Sequence, residues 1–529
     1  MKLRWIFLLS IVAIVFLTVP QSYVDADEGD EDDEGDDPEW IEIDDITYVP
    51  IDDVTVYANQ CFKEDPVVVI PPTITYEDVT YEVVSIGTNF ICTELESITI
   101  PYTVTELEDS CFECRTLKEL KVDEDSLTFS SVDGVLYDKN KAMLIKVPSA
   151  KNINVYNIPA TVTILSKGCF MDCTSLYEIN MPNTIYVIPN RAFENCTNLE
   201  FINKTTLGNR LPDSIRMIAP NAFYNCSSLK QLTMPNELAY IDEEAFRGSG
   251  LTSFTIPKYV TYIASGAFGF CKNLERFIDG DGSTYVATDG ILYETKGAEV
   301  ILHSYPCARA DEVFTITGET TDIMGKAFMG TNNLKEVILS PSLNTIPDLA
   351  FYACTSLERI TIPDYILVID YMAFCQCKNL KEITIMEGLV KIDGFAFAYT
   401  AVERITIPAS VKYIEEDVMS SCESLVSVDV KSESLKIGGW TFANCPKLTE
   451  VNFYGTDITF NDTTLSYINS EQPVIVTVTK DVKFPDDMLL DPNVIIKIFG
   501  ERPYPWENLI GVFFCVLFIL LIVRSIREV

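Results

Sequence analysis

The stretch YACTSLERITIP (352–363) is written again with small changes as MDCTSLYEINMP (171–182), YNCSSLKQLTMP (224–235) and CQCKNLKEITI (375–385). Aligned on the aromatic of an Ala-Phe pair, the repeat has anchors at Phe90, Phe112, Phe170, Phe193, Phe223, Phe246, Phe268, Phe328, Phe351, Phe374, Phe397 and Phe442, with Val418 in the remaining slot. Most anchors lie 22 or 23 residues apart; one gap is 30, and two are 58 and 60. A period this short constrains the fold more than any other feature. Such a unit cannot bury its own apolar face and must stack on its neighbours, which makes a solenoid.

Around each anchor the pattern is I-x-x-x-A-F-x-x-C-x-x-L-x-x-I-x-I-P-x-x-V. The piece containing Leu357, Ile360 and Ile362 alternates like a strand with one buried face, and the proline after it ends the strand. The V-x-x-I piece predicts a second short strand, and AFxxC predicts a helical or 3-10 turn. The two long gaps hold SSVDGVLYDKNKAMLIKVP (130–148) and YVATDGILYETKGAEVILHSYP (285–306). Each predicts a β-hairpin inserted between coils, near 126–150 and 279–308.

The repeat resembles the BspA-like leucine-rich repeats of surface proteins from bacteria and protozoan parasites, over about residues 80–455. The resemblance implies a leucine-rich repeat solenoid of β-rich coils on a surface protein that binds or adheres to host or microbial partners. The expected organisation is a signal peptide (1–26), a disordered acidic spacer (27–45), an N-terminal β cap (46–86) and the solenoid (87–455). A C-terminal β cap (456–500), a transmembrane helix (506–523) and a cytoplasmic tail (524–529) complete it.

The ends are read from their chemistry. Lys2 and Arg4 precede an apolar run from Trp5 to Val19, and Val24 and Ala26 suit the small-residue cleavage rule, with Ser22 as a second option. Asp25 to Asp45 contains fourteen acids and no base, too polar to bury a core. Leu509–Val523 is unbroken and apolar, Trp506 extends it, and Arg524 and Arg527 mark the cytoplasmic side. These features predict a single-pass type I plasma-membrane protein with most of its chain outside the cell.

With 39 basic against 78 acidic residues, the chain carries a net charge of −39, which argues against nucleic acid as a partner. A single histidine, His303, leaves no basis for a His-based triad or a zinc-hydrolase site. CFEC (111–114) matches C-x-x-C, but Cys111 fills the alanine slot of the repeat, as Cys169 does. Cys173, Cys196, Cys226, Cys271, Cys354, Cys377 and Cys445 all fall three residues after an anchor, where Ser249, Thr331 and Thr400 replace them. A column of small inward side chains accounts for these positions, so buried thiols are expected. DGDGS (279–283) fails the EF-hand pattern, with Thr284 at the position that needs glycine and Gly290 where glutamate belongs. No catalytic residues, cofactor or metal ligands are assigned.

Three groups of residues remain as candidates. Tyr177 and Phe201 are aromatic on the strand face where neighbours are polar, a candidate ligand face for an extracellular protein or glycan on another cell. Ordinary packing against the longer 193–223 coil is the competing reading. Glu358-Arg359, Lys381-Glu382 and Glu403-Arg404 alternate in sign from coil to coil, a structural charge ladder. Asn195, Asn203, Asn225 and Asn461 are N-glycosylation sequons. Two other functions compete with recognition: a structural or immune-decoy coat and, most remotely, a surface hydrolase.

Overall fold

The computed structural model describes residues 40–499, apart from 63–64, 89–93, 110, 207, 281 and 283. The anchor Phe90 and the expected signal peptide, transmembrane helix and cytoplasmic tail lie outside these residues. Among those described, no helix is long and apolar enough to cross a membrane.

The chain winds into stacked coils. The first wall is built from the L-x-x-I-x-I pieces: Val313–Thr315, Glu336–Ile338, Arg359–Ile362 and Glu382–Ile385 pair in parallel, and Arg404–Ile407 begins a further parallel run. The second wall uses the V-x-x-I pieces, from Thr345–Ile346 through Val368–Ile369, Lys391–Ile392, Tyr413–Ile414 and Ser434–Ile437 to Asp457–Phe460. In both walls the register places Ile over Ile, such as Ile360 beside Ile383 and Ile369 beside Ile392.

The third side differs from expectation. AFxxC forms neither an α- nor a 3-10 helix among the described residues. Alternate amides point along the stack instead: Leu349, Phe351 and Ala353 donate to the carbonyls of Tyr371, Ala373 and Cys375 at 3.0, 2.9 and 2.9 Å. The backbone achieves this with two left-handed residues four positions apart in a coil, such as Arg191/Asn195, Leu349/Ala353, Met372/Gln376 and Phe395/Tyr399. A left-handed conformation costs a non-glycine residue about 1–2 kcal/mol, and the rows of inter-coil hydrogen bonds offset it. Helical i−4 bonding would leave the neighbouring coil's carbonyls unmet.

Inside, the anchors stack face to face. Phe170, Phe193, Phe223, Phe246 and Phe268 follow one another at 5.1–5.7 Å, tilted by no more than 16°. Phe328, Phe351, Phe374 and Phe397 form a second stack at 4.8–5.6 Å.

The insertions are more than hairpins between coils. Each is a three-stranded antiparallel meander, 129–146 or 285–304, whose last strand joins the second wall in parallel, Met143 pairing with Ile164 and Ile301 with Asp322. The chain then completes a coil without the repeat's wording. Tyr305 stacks on Phe328 at 5.1 Å in the anchor position, and Val313–Thr315 enters the first wall. The meanders also divide the interior into three apolar clusters, running from Ile41 to Leu136, from Val135 to Leu292 and from Ile291 to Val478.

Both expected caps prove continuous with these ladders. Val67–Val69 pairs in parallel with Ser97–Ile100, and Val79–Ile86 with Glu106–Leu107, inside the span expected to be a separate cap. At the other end, Val474–Val478 and Val494–Ile498 extend the first wall. The last residues of the span expected to be a disordered spacer are ordered: Ile41–Ile43 pairs antiparallel with Ile46–Pro50. The turn at Asp44-Asp45 has φ of 51° and 59°, left-handed values that aspartate tolerates.

The second meander seats polar groups on the preceding coil. The Ile263 amide donates to the Tyr285 hydroxyl at 2.9 Å, and the buried His303 Nε2 lies 2.8 Å from the Ile263 carbonyl. That bond requires the proton on Nε2, and buried Nδ1 has no partner among the described residues. Glu294, ion-paired to Lys296 at 2.9 Å, lies beside this group.

Ala353→Gly, at φ 55°, should stabilise by up to about 1 kcal/mol, the left-handed cost less the added chain entropy of glycine. Ala350→Gly, three residues earlier in ordinary backbone, should destabilise by about 0.5–1 kcal/mol; urea midpoints measure both. Desolvation holds the His303 pKa below its usual value of 6.5. The unfolded chain therefore binds the proton more readily, so stability is full above pH 6.5 and falls as pH drops below it. His303→Gln should flatten that acid limb in a pH series of melting temperatures.

Candidate functional site

Tyr177 and Phe201 are brought together on the outer face of the first wall. Their rings meet edge to face at 5.1 Å, and both remain partly exposed. Lys204 Nζ sits 3.7 Å over the Phe201 ring. Partial desolvation and the carboxylates of Glu200 and Glu178 push the Tyr177 phenol pKa upward. Asn203 stands beside the pair with its amide turned onto backbone: Oδ1 accepts from Met181 N at 2.6 Å, and Nδ2 donates to Met181 O at 3.2 Å. The unmodified Asn203 side chain is therefore engaged with backbone, while Lys204 covers one face of Phe201.

The charge ladder has a different partner pattern from the one read in the sequence. Arg359 lies in register between Glu336 and Glu382, but its ion pair runs to Glu336 at 2.8 Å. Lys335 binds Glu312 at 2.9 Å in the coil before. Arg404 donates to Ser427 Oγ at 3.1 Å, while no ion pair joins Glu358, Lys381, Glu382 or Glu403 to another described residue. Such exposed pairs contribute about 0–1 kcal/mol each.

The cysteine column has a simple chemistry. Five of its thiols donate to the anchor carbonyl of the coil before: Cys196 to Phe170, Cys226 to Phe193, Cys271 to Phe246, Cys354 to Phe328 and Cys377 to Phe351, all at 3.0–3.1 Å. Ser249 and Thr400 occupy the slot with hydroxyls that meet Cys271 and Cys422 at 3.4 Å. All fourteen described cysteines are buried and free of disulfides. Burial pushes the pKa of Cys271 up to about 11 and those of Cys173 and Cys375 up to about 12. Cys111 of CFEC is raised for the same reason, so it lacks the thiolate that redox or metal chemistry needs. No group of three His, Cys, Asp or Glu able to hold a metal occurs among the described residues. Within DGDGS, a side chain on Gly280 would lie 1.7 Å from the Ile256 carbonyl, so glycine serves close packing there.

The sequons fall into two surroundings. Asn195 donates to Asp172 Oδ1 at 2.9 Å, and Asn225 to Asn195 Oδ1 at 3.0 Å, forming a ladder of left-handed residues along the third side. Asn461 is exposed, with its Oδ1 accepting from Thr463.

One feature was missed in the sequence. The asparagine ladder stops at Gly248, and beside it opens a concavity of about 550 Å³ lined by Tyr224, Asn225, Arg247, Phe270 and Lys272. Both oxygens of Glu244 hold Arg247 Nη1 at 2.9 Å. Its guanidinium carbon lies 5.5 Å from the Tyr224 ring and 4.9 Å from that of Phe270. A side chain at Gly250 would lie 2.2 Å from the Ser227 carbonyl, so the floor requires glycine. The signal was RGSGL (247–251), where two glycines break the repeat.

This is the architecture of a leucine-rich repeat solenoid. The BspA type leucine rich repeat region matches in six copies over residues 73–133, 205–289, 307–426 and 346–472, more than half of the chain. The chain belongs to this family, a repeat scaffold, and no catalytic family is indicated. Solved structures to which the chain is similar include a leucine rich cell surface protein from Faecalibacterium prausnitzii, 23% identical over 80% of this chain and 96% of that one, with a TM-score of 0.41. The pneumococcal vaccine antigen PcpA is 18% identical over 88% and 99% with a TM-score of 0.42. A leucine-rich repeat protein from Eubacterium ventriosum is 19% identical over 70% and 97% with a TM-score of 0.47. No curated protein matches the sequence.

The thiol column makes a chemical prediction. Cys377→Ser keeps a donor for Phe351 O and should change stability by less than about 1 kcal/mol, whereas Cys377→Val removes that donor and should cost about 0.5–1.5 kcal/mol. Denaturant midpoints of the two variants decide between hydrogen bonding and apolar filling.

Proposed function

We propose that the chain is a non-catalytic cell-surface recognition protein that uses the outer face of its first wall to bind a protein or glycan on another cell. The observation that carries this reading is the Tyr177–Phe201 pair, two partly exposed rings at 5.1 Å on an outward strand face, flanked in sequence by the charged Glu178 and Glu200. Aromatic rings ordered before contact lose little side-chain entropy on binding, which makes them efficient anchors. Membership of a repeat-scaffold family supports recognition over catalysis, as does burial of the only histidine within a meander. In this reading residues 1–26 direct export, 506–523 anchor the chain once across the plasma membrane, and a glycan is carried at Asn461.

The test uses cells that display the full chain, presented with candidate host and microbial surfaces at physiological salt. Saturable adhesion is expected, with Tyr177→Ala/Phe201→Ala weakening it by about tenfold or more, as expected for anchor residues. Adhesion that survives the double variant places the contact elsewhere on the molecule. Absence of saturable adhesion to every surface overturns recognition in favour of a coat.

A further inference from the structure

We propose that the concavity beside Gly248 binds a carboxylate-bearing sugar unit. The proposal rests on the recognition reading above and supplies it with a ligand class and a second contact site.

The first argument is the origin of the space. Asp172, Asn195 and Asn225 fill one left-handed column with linked polar side chains. Gly248 leaves the next position of that column empty, and Gly250 lets the backbone close in beneath it. The resulting volume, about 550 Å³, lies within the range of small-ligand sites.

The second argument is charge. With Nη1 taken by Glu244, Arg247 has its Nε–Nη2 edge without an acceptor among the described residues. That planar fork suits a carboxylate side-on. Two aromatic rings and a bidentate carboxylate hold the guanidinium in place, so little order is lost when a ligand arrives. Lys272 is exposed at the rim and has no ion pair among the described residues. The chain's net charge of −39 does not cancel this local field, because exposed charges beyond a Debye length of about 8 Å are screened. A neighbouring concavity lined by Glu312, Lys335 and Glu358 lacks such a free cation, since Lys335 is held by Glu312 at 2.9 Å.

The third argument is the remainder of the lining. The Tyr224 and Phe270 rings offer apolar surface for the C–H face of a pyranose. Asn225 Oδ1, which accepts no hydrogen bond from a described residue, and the Asn273 amide can meet hydroxyls. Cations alone would suit any anion; cations beside rings and amides suit a sugar acid.

The test is calorimetric titration of the full-length chain, made in a host that adds no glycans, with a β-1,4-linked glucuronate tetramer. The glucose tetramer of the same linkage and an acidic tetrapeptide serve as comparisons. The glucuronate tetramer should bind at least about tenfold more tightly than either, the margin expected for a charge-assisted carboxylate contact. Gly248→Asn is the decisive variant. Its Cβ would lie no closer than 3.5 Å to Asn225, and asparagine tolerates the left-handed φ of 69°. It should extend the ladder and fill the space with no fall in melting temperature, while weakening binding by about tenfold or more. Lys272→Gln should also weaken it.

Equal affinity for the neutral tetramer, equal affinity for the peptide, or an unchanged affinity in folded Gly248→Asn each overturns the proposal. Failure of every tetramer while cell adhesion persists overturns this site alone. Failure of both overturns the recognition reading with it.

Discussion

The hydrogen bond that leaves one coil for the next is the constraint on which the rest of the molecule depends. Two sides of each coil make it as ordinary parallel β-structure. The third side makes it through residues such as Leu349 and Phe395, whose backbones adopt a conformation that their side chains disfavour. That conformation persists because the amides of Leu349 and Phe395, once aimed along the stack, meet the carbonyls of Tyr371 and Glu416 at 3.0 and 3.2 Å. With the backbone satisfied sideways, phenylalanine rings fall into register and cysteine thiols reach the preceding anchor carbonyl. Each column of like residues is thus a consequence of the inter-coil backbone bond.

The same constraint governs where function can arise. An inward position is shared by every coil and tolerates few residue types, whereas an outward one is constrained only by its immediate neighbours. Tyr177 and Phe201 occupy outward positions of the first wall. The Gly248 concavity arises differently, by omission: a column populated with amides skips one member and leaves room between Tyr224 and Phe270. A stack of near-identical units acquires distinct places either by adding an unusual side chain or by leaving one out.

Much of this was legible in the residues. Leu357, Ile360 and Ile362 announced a strand, and the recurrence of Phe and Cys at a fixed offset announced buried columns. The third side was not legible because its left-handed residues share no chemistry: Arg191, Leu349, Met372, Phe395 and Asp417 all serve. Their conformation is imposed by the neighbouring coil, so local propensity gave no warning. The cap boundaries failed for a related reason, since Val67–Val69 and Val494–Ile498 pair in parallel without the consensus wording. Tyr305 was hidden as an anchor because Ser304-Tyr305 replaces Ala-Phe and Cys307 follows two residues later instead of three. The binding concavity was invisible in any one repeat, since it lies between an arginine, two rings and an absent side chain from successive coils.

The division of the interior at the two meanders has a mechanical meaning. Bonds aligned with the long axis are opened by a pull on the ends, and three apolar cores joined end to end carry the same load in series. Repeats that contact only their neighbours yield one segment at a time. When one core gives way, the chain it releases lengthens the molecule and lowers the tension on the other two. Such a molecule holds a load by paying out length, as a sacrificial link does in a chain of springs, while two of its three segments keep their shape.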